Sequence, residues 1–193
     1  EVGIPVRIRD TNDPEHPGTF IVPRHHPEAR KGYLITGIAG RKDFTVIQIE
    51  KPMMNKEIGF GRRVLQVLED HEISFEHMPS GIDTLSVVIA GSQIGDKLNV
   101  ILQEITLAVQ PESLSVTDKM ALLTVVGRGM IHFPGLAARA LAALGEQDIN
   151  VRMIDSGSSQ VNLIVGVDVE RFEDAVRAIY AAFVHDDEPV RGF

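Results

Sequence analysis

The chain has no cysteine and no tryptophan, and aromatic residues make up only 5% of its 193 positions. Without cysteine there is no disulfide scaffold, no thiolate zinc site and no thiol nucleophile. With two tyrosines and eight phenylalanines, stacking platforms for single-stranded bases are not expected. A cationic surplus is missing too. Acidic residues number 27 against 19 basic ones, a formal charge of −8, which is the wrong sign for nucleic-acid phosphates or anionic lipid. Long apolar runs are absent, since Met120 to Val126 falls far short of the roughly 20 residues that span a bilayer. The opening Glu1-Val2-Gly3-Ile4-Pro5 lacks the basic start and apolar run of a secretory signal. It also lacks an initiator Met, so the expectation is a piece of a longer, cytoplasmic protein.

What is present is 44% hydrophobic and 24% charged, the composition of one ordinary globular domain or two small ones. The most informative feature is an internal duplication. Ile73-Ser74-Phe75-Glu76-His77-Met78-Pro79-Ser80-Gly81 lies over Ile149-Asn150-Val151-Arg152-Met153-Ile154-Asp155-Ser156-Gly157, an offset of 76 positions. The same offset holds without a gap from Gly59 over Gly135 to Leu85–Ile89 over Val161–Val165. Apolar character, glycine placement and the Ser-Gly turn all coincide.

Each copy has the pattern strand, helix, strand, strand, helix. In the first, Phe44 to Ile49 is β-branched-rich and bounded by Lys51-Pro52, which predicts a strand. Phe60, Val64, Val67 and Leu68 then share one helical face. Ile73 to Met78 and Thr84 to Ala90 are expected strands around a Pro79-Ser80-Gly81 turn, before a helix carrying Leu98, Ile101, Leu102 and Ile105. The second copy predicts strands over Ala121–Val126, Val151–Ile154 and Gln160–Val167. Its helices are a first from Pro134, at the position where a missing N–H is tolerated, and a last one burying Phe172, Ala175, Val176, Ile179 and Phe183. The loop entering the first helix is longer in the first copy, 14 positions from Thr45 to Gly59 against 11 from Thr124 to Gly135.

Each unit needs a fourth strand to cover its sheet edge. Leu114–Thr117 is expected to close the first unit and Leu34–Ala39 the second, so that the two are nested. Val6–Arg9 and Phe20–Val22 are expected short strands ahead of the repeat, Pro23–Gly32 a linker, and the segment from His185 an acidic tail.

In order and spacing these segments resemble the carboxy-terminal regulatory region of aspartate kinases, monofunctional type, with its pair of ACT domains. Ile4–Pro14 with Pro17-Gly18-Thr19 is similar to the end of the kinase domain, and Ile35–Ala39 to the linker strand. Phe75–Asp83 is similar to a version of the first ACT unit. Gly127-Arg128-Gly129-Met130, Pro134-Gly135, Ile149-Asn150-Val151 and Ser156–Ser159 are similar to the second. The resemblance implies an α+β fold of two nested, ferredoxin-like βαββαβ ACT domains, with helices on one face of each sheet. It divides the chain into residues 1–33, the end of the kinase domain and linker; 43–118, the first ACT domain; 34–42 plus 119–186, the second; and 187–193, a tail. It implies a parent enzyme that phosphorylates the side-chain carboxylate of aspartate with ATP and magnesium, both held by a kinase domain upstream. Feedback inhibition by lysine, threonine or both is implied, as are a homodimer through the ACT domains and no nucleic-acid or membrane partner. Two departures leave the effector open: Glu50-Lys51-Pro52 is followed by an inserted stretch before Gly59, and Gln160 stands where an acidic residue is frequent.

A zwitterionic effector needs an anion socket and a cation socket about one residue apart. The entry of the first helix, Glu57-Ile58-Gly59-Phe60-Gly61, offers unpaired N–H groups and a positive dipole end, with two glycines permitting close approach. Ser74–Met78 can present carbonyls and the Glu76 carboxylate to an ammonium. The resemblance places effector contacts at Met54, Glu57, Phe60, Gly61, Phe75 and Glu76, and in the turn near Ser80 and Asp83. The structural alternative is that the glycines merely allow a tight helix entry and Phe60 is core. The equivalent socket at Phe133–Leu136 is expected to be structural.

No catalytic residue and no metal site is expected in this chain. His25-His26 has no acidic cage, Glu76 and His77 fall on opposite strand faces, and Ser156–Ser159 lacks the Gly-x-Ser-x-Gly elbow. Gly127 and Gly129 lack the third glycine of a dinucleotide fingerprint. An RNA-recognition motif shares the βαββαβ order but requires sheet aromatics and basic charge. A ligand-free ACT-type dimerisation module is the stronger alternative.

Overall fold

Valine, isoleucine, leucine and threonine crowd two segments of the chain, and in the computed structural model each becomes a strand of 14 residues, over twice the usual length. The structure describes residues 4–22, 35–127, 130, 134–158 and 161–184. They fall in two units, one within Glu1–Tyr33 and the other within Leu34–Asp187. In the first, β1 (Val6–Ile8) and β2 (Thr19–Ile21) pair antiparallel, Val6 opposite Ile21. Gly18 closes that ribbon at φ 71°, where a Cβ would sit 2.2 Å from the Ile8 carbonyl oxygen.

The second unit contains β3 (Gly37–Glu50), α1 (Phe60–Asp70), β4 (Thr84–Ala90), α2 (Gly91–Ile94), α3 (Leu98–Val109) and β5 (Ser113–Val126). α4 (Leu136–Gly145), β6 (Met153–Asp155), β7 (Asn162–Asp168) and α5 (Phe172–Val184) complete it. Its strands form one antiparallel ladder in the order β4-β3-β5-β7-β6. Residues 37–41 of β3 pair with 122–126 of β5, while 44–50 pair with 113–120 and with β4. The two nested ferredoxin-like units thus exchange strand material through β3 and β5.

The duplication is visible in the backbone. Three pairs of left-handed residues recur 76 positions apart: Asp43 and Lys119, Gly59 and Gly135, Glu72 and Asp148. Asp43 lies in a register shift between Arg41 and Phe44, a bulge that turns the strand without ending it. For that reason the separate strands expected at Leu34–Ala39 and Phe44–Ile49 are one element, β3, which starts at Gly37, and those expected at Leu114–Thr117 and Ala121–Val126 are one element, β5.

Three more expectations are corrected. Ile73–Met78 is not a continuous strand. It touches β4 through bridges at His77 and Ser80, because Gln93 Oε1 accepts the Ser74 N–H and Pro79 has none to donate. The strand expected at Val151–Ile154 is β6, starting two residues later. The helix expected from Pro134 begins at Leu136, since Gly135 at φ 89° is its non-helical cap. Pro23–Gly32, Leu34, His25-His26, Arg128, Gly129, Phe133, Ser159, Gln160 and the segment from His185 lie outside the described residues.

Alternation sorts the sheet residues into cores. Ile47, Ile49, Leu85, Val87 and Ile89 pack against Phe60, Val64 and Leu68 of α1 and Ile101 and Ile105 of α3. Leu123, Val125, Leu163, Val165 and Val167 pack against Leu136 and Leu144 of α4 and Ile179 and Phe183 of α5. Each fully buried aliphatic side chain stabilises the fold by about 1.5–3 kcal/mol. The alternate positions Phe44, Val46, Val88, Ala90, Met120, Leu122 and Ile164 form a third buried cluster, so helix-free sheet surface of one half is covered by that of the other.

Candidate functional site

Glu50 ends β3, and Pro52 directs the chain into a short 3-10 turn at Met54–Lys56 before α1. Met53 at φ 61° makes the reversal, and its N–H donates to Asp83 Oδ1 at 2.7 Å. The Lys51 N–H donates to the Asp83 carbonyl at 2.8 Å and the Asn55 N–H to the Ile82 carbonyl at 3.1 Å. Asp83, just before β4, therefore braces the loop.

Gly59 caps α1 at φ 79°, and no side chain caps the helix. Phe60 N–H is engaged by the Glu57 carbonyl at 3.2 Å, and the next amides of the first turn belong to Gly61 and Arg62. Glu57 sits between two cations: Lys51 Nζ at 2.7 Å from Oε2, and the Arg63 guanidinium on Oε1. The hydrogen bond from Lys51, then the charges of Lys51 and Arg63, hold its carboxyl below the usual glutamate range against the opposing effect of desolvation. Lys51 Nζ also donates to the Val109 carbonyl at the end of α3, 2.6 Å away, and lies over the Phe60 ring. One carboxylate against an ammonium and a guanidinium leaves this trio net positive, suited to a second carboxylate.

Of the ten residues proposed from sequence, Met54 and Phe60 are core side chains, 6% and 4% exposed. Glu57, Ile58, Gly59, Gly61 and Asp83 gather at the helix entry with them. The segment Phe75–Met78 borders it, a Cβ on Gly61 lying 3.9 Å from Met78 Cε. Phe75 is 43% exposed, and Ser80 is exposed in the turn before β4. The Glu76 carboxylate is held by Arg41 Nη1 at 2.9 Å, while His77 Nδ1 faces Asp155 at 3.4 Å, so the two neighbours share no partner. Exposed apolar side chains rim the entry: Ile58 at 96%, Ile82 at 65% and Met53 at 52%.

Lys51, Arg63 and Arg41 were missed by sequence reasoning. Lys51 and Arg63 had a usable signal, being the cations flanking Glu57 in an entry loop. Arg41 had none, since it is 35 positions from Glu76. Gly135 caps α4 as Gly59 caps α1, again with no side-chain cap. A groove of about 390 Å³ between α1 and α3, lined by Arg62, Gln66, Asp70, Glu104 and Leu107, shares only Arg63 with the charge cluster at the entry. Among the described residues no group of three His, Asp or Glu could hold a metal, and no helix is long and apolar enough to cross a membrane.

Residues 123–183 match the model of an ACT domain family. Aspartokinase 3 of Bacillus subtilis (strain 168) is 39% identical over 182 residues, 94% of this chain and 39% of that protein. The aspartate kinase of Clostridium acetobutylicum superposes with a TM-score of 0.87 at 47% identity, over 94% of this chain and 42% of that one. The regulatory subunit of aspartate kinase from Thermus flavus shares the fold, with a TM-score of 0.67 at 21% identity over 77% of this chain and 98% of that subunit. The chain spans about a third to two fifths of the length of curated relatives that it matches, about two fifths for the Bacillus subtilis protein.

Proposed function

We propose, because this chain carries an ACT domain and is homologous to the regulatory regions of aspartokinases, that it is the amino-acid-sensing portion of an aspartate kinase. The parent enzyme phosphorylates aspartate in the cytoplasm, with ATP and magnesium in a kinase domain outside this chain. The effector is lysine, threonine or both, and inhibition is feedback on the biosynthesis of these amino acids. The domain division is that of the sequence: 43–118 for the sensing ACT unit, 34–42 plus 119–186 for a structural second unit, 1–33 for the end of the kinase domain and linker, and 187–193 for a tail.

One observation carries this reading: the uncapped start of α1 at Gly59 opens beside a net-positive cluster of Lys51, Glu57 and Arg63. The effector carboxylate takes the amides of the first turn, where the helix dipole adds to the cluster's charge. Its ammonium takes the Glu76 carboxylate and carbonyls of Ser74–Met78. A neighbour of the same fold, aspartokinase III of Escherichia coli, is known in complex with lysine and aspartate in a T-state, which supports lysine as one effector.

A second copy alongside the outer edge of Ile73–Ser80 completes the site. That edge is irregular, bears the half-exposed Phe75 and adjoins the apolar rim of Met53, Ile58 and Ile82, surface that a homodimer would cover. Effector binding at the seam biases the arrangement of paired ACT units and so the kinase, a shift in population limited by the ratio of the effector's affinities for the two states. Calorimetric titration with lysine, threonine and the two together tests the reading. Saturable heat with at least one is expected, and none with any combination would leave the ligand-free dimerisation module in its place.

A further inference from the structure

Glu76 and His77 are adjacent, and both reach out of the first half of the molecule into the second. Their backbone is hooked to β4, with the Glu76 N–H on the Val88 carbonyl at 2.8 Å and the Val88 N–H on the His77 carbonyl at 2.9 Å. His77 meets Asp155 on β6. Glu76 meets Arg41, which pairs opposite Leu122 of β5 at the last position before the Asp43 bulge. The Arg41 guanidinium also stacks 5.1 Å from the centre of the Phe44 ring, and Phe44 is 3% exposed in the core shared by the two halves. Arg41 is thereby anchored at the crossover between the halves, while Glu76 lies on the edge segment that borders the helix entry.

We propose that Arg41 and the effector ammonium compete for Glu76, so that the Arg41–Glu76 pair is a clasp between the halves which effector binding opens. The inference rests on the reading of Glu76 as the ammonium contact. A cation arriving at a carboxylate already bound to a guanidinium meets a like charge a few ångströms away, and the two repel. Release of Glu76 detaches the edge segment from the second half at one of its two ion pairs among the described residues, leaving His77–Asp155 as the other. Occupancy of the site is in this way transmitted to β3 and β5, the strands common to both units. Arg41 is a positioning residue in this scheme and never touches the effector.

The pair is exposed, its side chains 57% and 39% accessible, so its strength is modest and its removal alters binding by a small factor. Breaking it from opposite ends has opposite consequences. In the full-length enzyme, Arg41→Met abolishes the competitor and tightens lysine or threonine binding about two- to fivefold, as expected when the competent fraction rises. Glu76→Gln breaks the same pair but removes the ammonium partner, so binding weakens. The double variant binds like Glu76→Gln alone. Calorimetry reads all three, with thermal melts confirming that each is folded, and Arg41→Gln replaces Arg41→Met if that variant does not fold. Equal or same-direction changes for the two single variants would overturn the clasp while leaving the effector reading in place. Absence of binding by the wild type would overturn both.

Discussion

Replacing Gly59 by alanine separates backbone demand from side-chain packing at the helix entry. A Cβ there would lie 3.6 Å from Arg63 Nη1 and 4.0 Å from Arg62 Nε, ordinary contact distances, so no clash opposes it. The cost comes from φ, which is 79°. An L-residue in the left-handed region costs about 1–2 kcal/mol, and the reduced freedom of the unfolded chain offsets about 0.4–1 kcal/mol. The net loss for Gly59→Ala is about 1 kcal/mol, a fall in Tm of about 2–4 °C for a unit of this size. Gly135 provides an internal control: its φ is 89° and, among the described residues, nothing lies within 4 Å of its Cβ position, so Gly135→Ala should lose a similar amount. Asparagine tolerates left-handed backbone, so Gly59→Asn should recover part of the loss. Urea denaturation of the three variants gives the stabilities, and calorimetry with lysine and threonine gives the binding. Only the Gly59 variants should weaken binding, because tilting α1's first amides disturbs the carboxylate socket. A loss above about 3 kcal/mol at Gly59, or Asn no better than Ala, would refute the backbone argument.

Two further outcomes follow from burial and charge. Ile47→Ala, at a fully buried position beneath α1 and α3, should destabilise by about 2–5 kcal/mol, whereas Leu107→Ala at 80% exposure should change stability by less than about 0.5 kcal/mol in the same denaturation assay. Glu57 has its folded pKa lowered by Lys51 and Arg63, so its contribution is present above the ordinary glutamate value of about 4.3 and is lost as pH falls below it towards the folded value. Glu57→Gln should therefore flatten the acid limb of a stability-against-pH profile in that window, and an unchanged slope would contradict the ion-pair geometry.

Much of the fold could be read along the chain because its signals are local. The expected strand Thr84–Ala90 has the observed bounds, and the apolar faces of α1, α3, α4 and α5 follow helical spacing. The edge segment at 73–80 was harder, because its apolar residues alternate like a strand while Gln93 takes the Ser74 N–H and Pro79 has none to offer a ladder. At the candidate site, Glu57, Gly59 and Gly61 were legible from the helix-entry chemistry. Lys51 was not singled out: its place near Glu57 in the entry loop was a usable signal, but its second partner, the Val109 carbonyl, comes near only in the folded chain.

The sequence by itself determined the duplication, the α+β class, the main helices and central strands of each half and the glycine-marked entry of the first helix, because periodicity and turn chemistry act over a few residues. Only the tertiary structure decided that β3 and β5 each run unbroken through both halves, that helix-free sheet surfaces of the two halves share a core, and that Arg41 clasps Glu76. Those features depend on two bulges and on contacts between residues tens of positions apart, and no local pattern encodes which distant side chain a bulge will bring near.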